Sequence, residues 1–155
     1  MRHPSLVPLS HDHHHGLALA LRCRKQALGR LKPMGVRGLQ ERAQEVTAFV
    51  ETNLKPHFQA EEEVLFPLMR SLAPESRPIL DALLREHVQI REFVSRLDES
   101  STLSKLLFDL GDLLERHIRK EERELFPLFE SRVAPAEAEK LEAELKKILA
   151  VQDRK

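Results

Sequence analysis

A histidine and a glutamate four residues apart occur twice in nearly the same phrase: His57-Phe-Gln-Ala-Glu61-Glu62-Glu-Val-Leu-Phe-Pro-Leu and His117-Ile-Arg-Lys-Glu121-Glu122-Arg-Glu-Leu-Phe-Pro-Leu. On a helix, that spacing stacks an imidazole and a carboxylate on one face, about 6 Å apart. Two such pairs brought together offer two imidazoles and two carboxylates to one point, the outline of a site for two metals. A second, shorter pattern supplies two more histidines. Asp12-His13 follows Leu9, and Glu86-His87 follows Leu83, in the same Leu-x-x-acid-His order. The proposed ligand set is therefore His13, His57, Glu61, His87, His117 and Glu121. Neutral imidazoles with bridging or chelating carboxylates suit iron or manganese, and zinc less specifically. Two carboxylates buried in a helical core without such cations would be costly.

The ligand of the first helix is one of the run His13-His14-His15. The Asp12-His13 parallel argues for His13, whereas the spacing of His14 to Leu17 and Leu21 is the better match to an inward stripe. His11 and His15 read as outer residues and His3 as uninvolved. Glu62 and Glu122 recur in both phrases, and read as orienting the ligands or as extra ligands. Phe66-Pro67 and Phe126-Pro127 read as core and helix-end features, and Cys23 as a small buried apolar residue. A solvated face with i,i+4 contacts is the plainer alternative, but His57 and His117 lie beside apolar stripes.

Four long helices and a shorter fifth must position these groups. The first is capped near Ser10, runs through Leu17, Leu21, Leu28 and Leu31, and stops near Lys32-Pro33. The second runs from about Leu39 to Ser71 with Val46, Phe49, Val50 and Leu54 inward, and Pro56 kinks or breaks it just before His57. Pro74 to Pro78 opens the third, whose stripe is Leu80, Leu83, Leu84, His87, Ile90, Val94 and Leu97. A turn at residues 98–102 leads to the fourth, from about Leu103 to Ser131, with Leu106, Leu107, Leu110, Leu113 and Leu114 inward. A last amphipathic helix spans about 135–150, and residues 151–155 fray. Its stripe, Leu141, Leu145, Ile148 and Leu149, covers the bundle or mediates a homodimer.

Short connections pack helices antiparallel, so the expected fold is an all-α, up-down-up-down four-helix bundle with a short extra C-terminal helix. The histidine positions agree with that topology. His13 to Leu31 and Leu39 to His57 both span eighteen residues, about 27 Å of helix each. Both histidines thus return to one level.

Composition narrows the rest. A chain of 155 residues suits one domain over 1–155. Lys+Arg and Asp+Glu both number 25, so no net charge steers it to nucleic acid or an anionic membrane. The single cysteine excludes an internal disulfide and suggests a cytoplasmic setting. No apolar run reaches the ~20 residues of a membrane span, and no signal-peptide pattern opens the sequence.

The ordered motifs Asp12-His13-His14-His15, His57-Phe-Gln-Ala-Glu61-Glu62, Arg85-Glu86-His87 and His117-Ile-Arg-Lys-Glu121-Glu122 resemble the hemerythrin-like, or HHE cation-binding, domains. The resemblance spans about residues 5–131. It implies a four-helix bundle holding a non-haem centre of two iron ions with carboxylate bridges. Oxygen-carrying members bring a second histidine four residues after the one on the third helix, where this chain has Arg91. An iron on that side is one ligand short, or takes water, Glu62, Glu122 or His14. The pattern is closer to bacterial hemerythrin-like proteins associated with iron handling or with oxygen and nitric oxide stress. The implied role is a metal-binding protein that senses or handles oxygen, nitric oxide or iron. A di-iron oxidoreductase acting on nitric oxide or peroxide is the alternative, and a structural bundle with an incidental cation a further one. A sensor would need a partner protein to deliver its output.

Overall fold

The computed structural model describes residues 1–98 and 100–153, and every regular element among them is helical. The five helices are α1 (Val7–Ala27), α2 (residues 35–72), α3 (Arg77–Ser95), α4 (residues 103–132) and α5 (Pro135–Asp153). Three-residue 3₁₀ turns precede α1, α3 and α4. No described helix is long and apolar enough to cross a membrane. Within the expected turn at 98–102 and the expected fray at 151–155, Glu99, Arg154 and Lys155 lie outside the described residues.

The helices pack as a bundle with two apolar clusters and a polar layer between them. One cluster gathers Leu19, Cys23, Val46, Leu54, Phe58 and Ile90 with the α4 leucines from Leu103 to Leu114. The other gathers Leu9, Leu65, Phe66, Met69, Leu80, Leu83, Leu125, Phe126 and Phe129. It also takes in Leu141, Leu145 and Leu149. The C-terminal stripe therefore covers the bundle of its own chain.

Helix α1 departs from expectation at both ends. It starts at Val7 after a 3₁₀ turn capped by the His3 imidazole, which accepts from the Ser5 N–H. His3 is thus structural: its own backbone N–H donates to Glu130 Oε2 at 2.6 Å. Ser10 lies inside the helix, and its hydroxyl donates to Glu122 Oε2 at 2.7 Å. At the other end Gly29, at φ 71°, stops the helix before Lys32-Pro33. The Arg30 N–H bonds the Lys25 carbonyl, and the Gly29 N–H bonds that of Gln26. That paired closure needs a left-handed residue, which glycine supplies without strain.

The inward face of α1 also differs from the leucine stripe. Leu21 and Leu28 are exposed, whereas Asp12, His13, Gly16, Leu19, Ala20 and Cys23 are buried. Small residues line this face because α4 approaches closely. A Cβ at Gly111 would stand 2.7 Å from the Ala20 carbonyl oxygen, and one at Gly16 would stand 2.8 Å from Ile118 Cδ1. Hydrophobicity alone undervalues glycine and alanine at such a seam.

Helices α2 and α4 run through their prolines without ending. Each proline follows a turn wound as π-helix: Val50–Leu54 before Pro56, Glu61–Leu65 before Pro67, and Glu121–Leu125 before Pro127. The residue before each proline bonds five back, Lys55 to Val50, Phe66 to Glu61 and Phe126 to Glu121. A proline ring collides with the carbonyl four residues earlier, and the wider turn removes that collision while the helix continues. Phe66-Pro67 and Phe126-Pro127 therefore sit within their helices.

Candidate metal centre

Two of those π-turns begin at Glu61 and Glu121. The turn leaves the His57–Glu61 and His117–Glu121 spacings intact, since it starts at the glutamate. It then brings Leu65 with Phe66, and Leu125 with Phe126, inward as consecutive buried residues. Each repeat thus delivers a carboxylate and an aromatic wall from one backbone device.

The six residues proposed as ligands lie together in the polar layer, with exposures from 0% to 3%. Four ligand atoms of His13, His57, Glu61 and Glu121 lie within 4.8 Å of one another, and so do four of Glu61, His87, His117 and Glu121. The two groups share both carboxylates. Glu61 Oε2 is 3.3 Å from His57 Nε2, and Glu61 Oε1 is 3.1 Å from His87 Nε2. Glu121 Oε1 is 3.0 Å from His13 Nε2, and Glu121 Oε2 is 2.9 Å from His117 Nε2.

These contacts are short but lack hydrogen-bond geometry. All four oxygens of Glu61 and Glu121, with Nε2 of His13, His87 and His117, are buried without a hydrogen-bond partner. Seven orphaned polar atoms converging in one layer would be a heavy cost to a folded chain. Cations between the carboxylates remove that cost. Each of two positions would receive two imidazole nitrogens and two carboxylate oxygens, a donor set that fits a divalent transition metal.

The opposite nitrogen of each of the four clustered histidines is held by a carboxylate. His13 Nδ1 is 2.6 Å from Glu122 Oε2, and His87 Nδ1 is 2.6 Å from Glu62 Oε2. His117 Nδ1 is 2.8 Å from Glu86 Oε1, and His57 Nδ1 is 3.1 Å from Asp12 Oδ2. Carboxylates there keep the proton on Nδ1 and turn the Nε2 lone pair to the centre. Asp12 and Glu86, read from sequence only as companions of His13 and His87, thus act on histidines of the neighbouring helices. Glu62 and Glu122 stand on outer nitrogens rather than in the centre. His14 is exposed and outside the cluster, because α1 turns His13 inward.

Aromatic rings close the layer. Phe58 stacks on His87 at 3.8 Å between centroids, Phe66 lies on His87 at 5.7 Å, and Phe126 stacks on His13 at 5.5 Å. Arg91 donates to Glu62 at 2.9 Å, and its guanidinium lies 5.3 Å from the Phe58 centroid. Arg2 does the same on the other flank, donating to Glu122 at 3.0 Å and lying 5.3 Å from the Phe126 centroid. Sequence reasoning missed Arg2 and Phe58 and read Phe66 and Phe126 only as core and helix-end residues; for those two the repeated Leu-Phe-Pro was the available signal.

Without a metal, protons balance the carboxylates. Burial pulls the His117 pKa down, but the charge and contact of Glu121 and the bond to Glu86 outweigh it and lift it to about 9. Burial likewise opposes a rise at His57 that Glu61 and Asp12 nevertheless drive well above the ordinary value. Metal uptake must therefore displace protons. Cys23 takes no part: burial pushes its thiol up to about 12.

A family model described as hemerythrin HHE cation binding domain matches residues 6–129. Comparison with curated proteins and with solved structures finds no match.

Proposed function

Since the chain belongs to the hemerythrin HHE cation-binding domain family, we propose that it binds two iron ions and uses them to sense or handle oxygen, nitric oxide or iron. The ligands are His13 and His57 for one ion, His87 and His117 for the other, with Glu61 and Glu121 shared. One observation carries this reading: the seven buried, partnerless ligand atoms that face one another across the polar layer. Manganese or zinc would suit the same donors less distinctively.

Iron in these positions would supply a redox-active Lewis acid to a small diatomic ligand. The chain does the rest. Asp12, Glu62, Glu86 and Glu122 fix the four imidazoles, while Phe58, Phe66 and Phe126 exclude bulk water from their faces. With two nitrogens and two shared oxygens from protein at each position, coordination room remains for a small ligand. Arg91 contributes no imidazole, which weighs against reversible oxygen carriage.

The proposal extends to architecture. Residues 1–155 form one domain, with the first four helices running up-down-up-down and α5 laid over one end. The setting is cytoplasmic, and a partner protein reads the state of the site. Burial of Leu141, Leu145 and Leu149 within the chain argues against a homodimer through that stripe.

The test is to load the purified protein with iron(II) anaerobically, add oxygen or nitric oxide, and record the visible and near-ultraviolet spectrum with the iron content. New charge-transfer bands at two irons per chain support the reading. Catalytic turnover of nitric oxide or peroxide would move the assignment to an oxidoreductase. A colourless protein with no retained iron would overturn it in favour of a structural bundle.

A further inference from the structure

The two halves of the centre match in their inner groups and differ in what stands behind them. Three of the four outer carboxylates have a cationic partner. Glu62 receives Arg91, Glu86 receives Lys120 Nζ at 2.6 Å, and Glu122 receives Arg2. Asp12 has only the neutral Asn53 amide at 3.4 Å and, among the described residues, no ion pair with Lys or Arg. The sequence repeat explains the gap. Lys120 precedes Glu121, whereas Ala60 occupies the equivalent place before Glu61. Ala60 is fully buried in the cluster that includes α5 residues, so a lysine there would lose its water.

We infer that Asp12 sets the order of metal loading, so that the position between His13 and His57 fills before the one between His87 and His117. This inference rests on the two-metal reading above. Behind His13 and His57, two carboxylates are offset by Arg2 alone, and Arg2 is itself shared with Glu130. Behind His87 and His117, two carboxylates are offset by two cations. The first position thus carries one more uncompensated negative charge, a few ångströms behind a ligand and 5% exposed. A cation gains from that charge at short range and in a poorly screened setting. One effect opposes it: the Asp12–His57 contact, at 3.1 Å, is longer than the other three. That length is still within the normal hydrogen-bond range, and Asp12 alone of the four outer carboxylates has no Lys or Arg partner among the described residues. Charge decides the order.

Asp12 is a positioning residue, acting through His57. Changes to groups behind metal ligands alter affinity by about tenfold to hundredfold. A tenfold difference gives about a three-to-one occupancy ratio at one equivalent of metal. The experiment is anomalous diffraction from crystals of the full chain grown with one equivalent of manganese(II). The stronger peak is expected between His13 and His57. Asp12→Asn should move occupancy toward the His87 and His117 position. Lys120→Met, which leaves the Asp12 side intact, should raise occupancy at His87 and His117 toward parity. Equal peaks in the unaltered protein, or a stronger peak at His87 and His117, would overturn the inference and leave the two-metal reading standing. No peak inside the cluster would overturn the two-metal reading, and the inference with it.

Discussion

Glu61→Gln separates the cost of the centre to the fold from its value to the metal. The side chain is fully buried, its two oxygens face His57 and His87, and neither is hydrogen-bonded. The substitution keeps the shape and removes the charge. In the metal-free protein it takes the carboxylate from a buried pair with the raised-pKa His57, a loss of about 3–5 kcal/mol where that imidazole stays charged. With metal a second loss is added. At a hundredfold excess over Kd, each site adds about 2.7 kcal/mol, or about 5.4 kcal/mol for two. A hundredfold loss at both positions leaves about 0.8 kcal/mol in all. The metal-induced stabilisation should therefore shrink by about 4–5 kcal/mol, equivalent to about 10–18 °C in Tm for a chain of this length. Thermal melts with and without metal, on both proteins, give the comparison. A variant that keeps the full metal-induced shift would refute the reasoning.

Other expectations follow from single features. His117 titrates at about 9 in the metal-free protein against an ordinary 6.5, so its stabilisation is complete below 6.5 and lost as pH rises through about 9. Metal-free melts should show Tm falling over that window, and a flat profile would contradict the account. Metal uptake at neutral pH should release protons, detectable with an indicator dye in weak buffer. Gly111→Ala should cost about 1–3 kcal/mol in denaturant melts, because its Cβ meets backbone of α1 rather than a movable side chain. Leu145→Ala, at a fully buried position of α5, should cost about 2–5 kcal/mol without changing the oligomeric state by sedimentation.

The inner site was legible because it is written twice. His57 with Glu61 and His117 with Glu121 keep their spacing in helix and π-turn alike, and the acid–histidine steps mark the other two helices. The choice between His13 and His14 was not legible. The leucines that seemed to define the inward face of α1 are partly exposed, and its true face is built from Gly16, Ala20 and Cys23 against Gly111. The end of α1 was misjudged because Pro33 drew attention away from Gly29, whose left-handed conformation closes the helix earlier. Pairing of outer carboxylates with histidines was hidden for another reason. Asp12 serves His57, and Glu86 serves His117, so each acts across helices rather than along one. The prolines carried their meaning only in three dimensions, where each requires a widened turn.

The most direct test of the centre is the metal content of the chain after anaerobic iron(II) loading and removal of unbound ions, beside the Glu61→Gln and Glu121→Gln double variant. The account predicts two irons per chain in the unaltered protein and loss of both in a variant that remains folded. One ion or none in the unaltered protein, or two retained by the folded variant, would contradict it.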